Sequence, residues 1–191
     1  MHAKPLLAAC ILLCGPASLF AQMTAPPPAK TPGDALVFSL AIVEHDFVPA
    51  ADAMPEDKYD FAPAHGEFKG ARTFAQQVKH VAAANYMFGS LLAGEKPPGE
   101  TGGENGPDAV KTKAEIMKYL NDSFAYLRKG LVSVTGKNQL DQLDWPEGMK
   151  TARLSVASFA IAHPFDHYGQ MVEYLRMNGI VPPASRPERN Q

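Results

Sequence analysis

Apolar residues recur every three or four positions in four separate stretches, clusters of Pro and Gly stand between the stretches, and no segment shows sustained two-residue alternation. Such spacing places the apolar side chains of each stretch on one face of an α-helix and leaves no half-buried strand from which to build a sheet. The expected fold is therefore an all-α four-helix bundle, with antiparallel helices around one core. Leu36, Leu40, Val43 and Phe47 mark the first helix, with Asp34 as its N-cap candidate and Pro49 as the residue that should kink or end it. Phe74, Val78, Val81, Ala84, Phe88 and Leu91 mark the second, over about residues 71–92 and closed by Gly94. Residues 96–107 are the most breaker-dense segment and are expected to form an exposed loop. Thr112 and Glu115 then have capping-box spacing and open the third helix, whose stripe of Ile116, Leu120, Phe124, Leu127 and Leu131 runs to about Val134. Residues 135–150 read as a long connection. The fourth helix carries Leu154, Ala157, Ile161, Met171 and Leu175 from about Thr151 to an Asn178-Gly179 stop, and Pro164 inside it predicts a kinked last helix.

Lys+Arg 18 against Asp+Glu 20 gives a net charge of -2, so no basic field is available to hold phosphate backbones, and nucleic-acid binding is not expected. Residues 1–21 have the order of an export signal: Lys4, an apolar run from Pro5 to Ala21 interrupted by Gly15 and Pro16, and a small residue at the end. Cleavage after Ala21 would leave Gln22 as the new N-terminus. A second-ranked alternative takes Leu7-Ala8-Ala9-Cys10 as a lipoprotein site at Cys10. Either route places the protein in the periplasm or outside the cell, with no stable membrane span after processing. Both cysteines, Cys10 and Cys14, fall in this segment, so the mature chain would rely on its core without disulfide staples. The expected division is a signal peptide over 1–21, a Pro-rich tether over 22–33, the bundle over 34–185 and a tail over 186–191.

The histidines carry the chemistry. His163 and His167 are four apart on one helix, which puts both imidazoles on the same face about one turn apart. His80 borders the inward stripe of the second helix. Three imidazoles from two helices would make a three-nitrogen site for one divalent metal with room for a further ligand. Hydrogen-bonded histidines at the edge of a core are the alternative, but Gln170 and Tyr174 extend the same face, and buried polar groups require partners. Affinity for a metal should fall as pH drops through the range of a free imidazole, near about 6.5. Asp166 could orient an imidazole or accept a proton, against a plain reading as a solvated carboxylate. His45 lies off the apolar stripe and reads as a surface residue, and His65 sits in a loop beside Gly66 that could swing over a pocket. Trp145, the one tryptophan, is expected to cover one end of the core. No G-x-S-x-G turn would activate a serine, and no Gly-rich loop follows a strand.

The segment from Ala162 to Ser185, with His163-x-x-x-His167-Tyr168-Gly169-Gln170, resembles the last helix and tail of the DinB-like family of damage-inducible bacterial proteins. Gln77-Val78-Lys79-His80 is similar to that family's second-helix metal ligand, and Tyr59 to Pro63 to its connector after the first helix. The resemblance implies a divalent ion, zinc or nickel, held by His80, His163 and His167, and a metal-dependent hydrolase or thiol-dependent transferase acting on a small-molecule substrate of unidentified class. A non-catalytic metal-binding or scaffold module is the alternative function, and a homodimer stays open. Export would separate the chain from the cytosolic small thiols that such transferases use.

Overall fold

The computed structural model describes residues 28–99 and 101–187. The expected signal peptide over 1–21 and most of the expected tether lie outside the described residues. Four helices dominate: α1 (Pro32–Ala53), α2 (Phe74–Ala93), α3 (Lys113–Val132) and α4 (Arg153–Met177). Of the apolar stripe residues, Leu40, Phe47, Val81, Phe88, Leu120, Leu127, Ile161 and Leu175 are all buried.

Local chemistry sets the helix ends. Each of α1, α2 and α3 opens on a complete capping box, formed by Thr31 with Asp34, Thr73 with Gln76, and Thr112 with Glu115. Asp34 is thus not the N-cap of α1 but its third residue. Its carboxylate accepts from the backbone N–H of Thr31 at 2.9 Å, while Pro32, which needs no hydrogen-bonded N–H, takes the first helical position. Nor does Pro49 end α1, which continues to Ala53. Pro49 and His45, whose carbonyl it leaves without a helical donor, are both exposed, so water can satisfy that carbonyl, while Phe47, Ala50 and Ala51 are packed in the core. Helix α4 likewise runs through Pro164 to Met177.

The helices are not all antiparallel. Along α2 and α3, Asn85 donates to Ser123 Oγ at 3.2 Å, Gly89 lies against Tyr126 and Leu127, and Ser133 donates to the Leu92 carbonyl at 2.9 Å, so the two chains advance together. They approach closely, since a Cβ on Gly130 would stand 2.8 Å from the Gly89 carbonyl oxygen. Helix α1 runs against α3, with Gly33 beside Val134 at one end and Asp52 paired with Lys113 at the other. Helix α2 runs against α4, as the pairs Arg72–Tyr174, Gln77–Gln170 and Leu92–Arg153 show. The result is an up-down-down-up bundle in which α1 and α2 each pack on both α3 and α4. Residues 94–112 make the parallel α2–α3 pair feasible: a helix of twenty residues is about 30 Å long, which a loop of that length spans with slack. That crossover is not merely an exposed loop. Gly106 and Pro107 are buried, and the Lys79 ammonium donates to the carbonyls of Pro107 at 3.1 Å and Val110 at 3.3 Å.

The connection between α3 and α4 holds a small antiparallel hairpin, β1 (Gln142–Asp144) with β2 (Lys150–Ala152), that periodicity did not predict. Its register pairs Leu143 with Thr151, and its turn carries Trp145. No described helix is long and apolar enough to cross a membrane.

Candidate metal centre

One ligand nitrogen from each of His80, His163 and His167 lies within 4.8 Å of the other two, and among the described residues no thiol or carboxylate joins them in that cluster. Position explains the convergence. His163 and His167 stand one turn apart on α4, and the antiparallel α2 brings His80 opposite them, with His80 Nε2 only 3.1 Å from His163 Nε2. The ring centroids of His80 and His167 are 4.7 Å apart, and those of His163 and His167 4.6 Å.

Two of the three rings are held from behind. The crossover loop carries the Glu104 carbonyl to 2.6 Å from His80 Nδ1. A carbonyl only accepts, so His80 Nδ1 bears the proton and Nε2 presents its lone pair to the cluster. His167 Nδ1 meets Gln77 Oε1 at 2.7 Å; Gln77 Nε2 donates to Gln170 Oε1 at 2.8 Å; and Gln170 Nε2 donates to Asp166 Oδ2 at 3.0 Å. His163 Nδ1 is buried without a hydrogen-bond partner among the described residues. Its ring packs instead against Phe88 at 5.8 Å and Phe159 at 6.1 Å, both of which contact Trp145. Trp145 thus covers the core beside the imidazoles, joining an aromatic wall on the His163 side. Arg72 closes another side. It pairs with the Glu104 carboxylate at 2.7 Å, and that carboxylate stands 3.6 Å from His80 Nδ1.

These surroundings keep the imidazoles neutral. Burial first, then the neighbouring imidazoles, pushes His163 down to about 3, and burial followed by His80 and Arg72 pushes His167 down to about 4. Burial also lowers His80. Neutral imidazole is the form that ligates a metal, and three such donors suit a borderline divalent ion, so the residues fit the group. Proton competition for the two α4 ligands accordingly falls well below the 6.5 of an ordinary imidazole, lower than the sequence alone led us to expect. Between pH 6.5 and about 4 the unfolded chain takes up protons that folded His163 and His167 refuse, so their contribution to stability is present above 6.5 and lost as the pH falls. The metal-free protein should therefore show a denaturation midpoint that drops across that window. The double variant His163→Gln/His167→Gln should flatten the slope, and equal slopes in both proteins would contradict this origin.

The other described histidines stay apart. The His45 side chain is 86% exposed and pairs with Asp46, and His65 is exposed in the loop before α2, outside the cluster. Asp166 is exposed and reaches His167 only through two glutamines. Sequence reasoning missed Gln77 and the Glu104 carbonyl as anchors of the rings. Gln77 had a signal, being a polar residue one turn before His80 beside the inward-facing Val78, and it is 2% exposed. A backbone carbonyl delivered by a loop has none.

Residues 39–171 match the family described as the DinB superfamily. No curated protein matches the chain.

Proposed function

The chain belongs to the DinB superfamily, and from that premise we propose that it holds one divalent ion, zinc or nickel, through His80, His163 and His167 and acts with it on a small molecule, by hydrolysis or group transfer. The observation that carries this reading is the convergence of three neutral imidazoles from two helices, with no fourth ligating side chain in the cluster among the described residues. An ion bound there supplies a Lewis acid that polarises a substrate oxygen and eases deprotonation of water. The protein's own part is orientation and exclusion of solvent. Glu104 and Gln77 fix two rings from behind, and Phe88 and Phe159 shield the third. Between the hairpin turn and α4 lies a cavity of about 380 Å³ lined by Trp145, Met149, Val156 and Phe159 with Lys150, Thr151 and Ser155, one aromatic ring removed from His163. Apolar walls with a few hydrogen-bonding groups suit a small organic molecule with a flat apolar part. Export of the chain would favour hydrolysis over thiol transfer.

One observation favours a non-catalytic metal-binding module instead: Asp166, the carboxylate nearest in sequence, is engaged by Gln170 and stands outside the cluster. The two readings differ in whether the ion keeps an exchangeable position. Cobalt(II)-loaded protein titrated with azide tests this. A saturable change in the visible spectrum is the expected result, and a spectrum indifferent to azide at full cobalt occupancy would assign the binding module.

A further inference from the structure

We propose that Asp166 is a positioning residue whose carboxylate, acting through Gln170 and Gln77, dictates which nitrogen of His167 carries the proton. The inference rests on the reading of the three imidazoles as a metal centre, because its consequence is to aim the His167 lone pair at the ion. The direction follows from donors and acceptors alone. A carboxylate accepts and does not donate, so the Gln170 atom 3.0 Å from Asp166 Oδ2 must be the amide nitrogen; the amide oxygen there would set two acceptors against each other. That turns Gln170 Oε1 toward Gln77, whose amide nitrogen donates to it at 2.8 Å. Gln77 Oε1 is then left facing His167 Nδ1 at 2.7 Å, where it only accepts. His167 Nδ1 therefore bears the hydrogen, and Nε2 presents its lone pair to His80 and His163. Reversing either amide breaks a bond elsewhere in the series, so a solvent-side carboxylate sets the tautomer of an imidazole that is 6% exposed.

Asp166 stands on the outer side of α4, one residue before His167 and four before Gln170, which places it on the rim of the polar stripe. Without the carboxylate both glutamine amides can turn over together. Gln77 Nε2 would then donate to His167 Nδ1, and the hydrogen would move to Nε2, where it points at the cluster in place of a lone pair.

The test is the nitrogen-15 spectrum of the metal-free, histidine-labelled protein, with zinc affinity measured beside it. In the parent protein His167 should show only the form protonated at Nδ1. Asp166→Ala and Gln170→Met should each bring in the form protonated at Nε2 and weaken zinc by about tenfold, the lower end of what loss of an outer-shell partner costs. Asp166→Glu, which restores the acceptor, should restore the single tautomer. A residue that only stabilised the helix would move neither signal. The proposal is overturned if His167 stays wholly protonated at Nδ1 in both Asp166→Ala and Gln170→Met, or if the parent protein already holds the Nε2 form. Zinc binding by the parent with an unresponsive tautomer would remove this inference alone. A tautomer that responds in a parent protein that binds no zinc would remove the metal reading and leave the inference standing.

Discussion

Replacing His163 with Ala is expected to weaken divalent-metal binding by at least about 100-fold, the upper end of the loss that removal of a mere outer-shell partner brings. His163 meets both other members of the cluster. Its Nε2 lies 3.1 Å from that of His80, and its ring centroid lies 4.6 Å from that of His167. Deleting it leaves His80 and His167, one from each helix, with only two donors for an ion that prefers four ligands. His45→Ala should leave the affinity unchanged, since that side chain is 86% exposed and outside the cluster. Competition titration of zinc against a chromophoric chelator measures both, and equal losses in the two variants would contradict the assignment.

The second large effect lies in the core. Phe124→Ala should destabilise the bundle by about 3–5 kcal/mol, the range for truncating a fully buried Phe to Ala. Phe124 is 0% exposed on α3 and meets the Phe47 ring of α1 edge to face at 6.0 Å, so the truncation opens a cavity at the α1–α3 contact that close-packed neighbours can fill only in part. Urea unfolding of the metal-free variant should show a lower midpoint with an unchanged slope. A change below about 1 kcal/mol would mean that the site collapses around the smaller side chain.

Much of this architecture is legible in the sequence because burial imposes periodicity. Leu120, Phe124, Leu127 and Leu131 can all reach the core only on a helix, and Thr112 with Glu115 announces where that helix begins. The start of α1 was legible too, though missed: Thr31-Pro32-Gly33-Asp34 has the cap, the first-turn Pro and the acidic third residue of a capping box. Other features leave weaker traces. Strands of three residues, as in β1 and β2, are too short for alternation to stand out. The parallel α2–α3 pair depends on whether residues 94–112 stay at one end of the bundle or cross it, and a Gly-Pro-rich loop of that length permits both.

The imidazole pair on α4 was visible as a spacing, and His80 as a residue bordering the apolar stripe. What surrounds them is tertiary. The Glu104 carbonyl reaches His80 because Lys79 and the buried turn at Gly106 and Pro107 tie the crossover loop to α2, and no local pattern encodes that contact. The depressed pKa values of His163 and His167 likewise come from burial between helices distant in sequence.

X-ray absorption at the metal edge of the stoichiometrically loaded protein tests the central claim most directly. If His80, His163 and His167 hold one ion, the zinc form should show imidazole nitrogen at about 2.0–2.1 Å, with the outer-shell scattering of three rings. A shell of oxygen alone, or one equivalent of tightly bound metal retained after all three histidines are replaced by Ala, would contradict it.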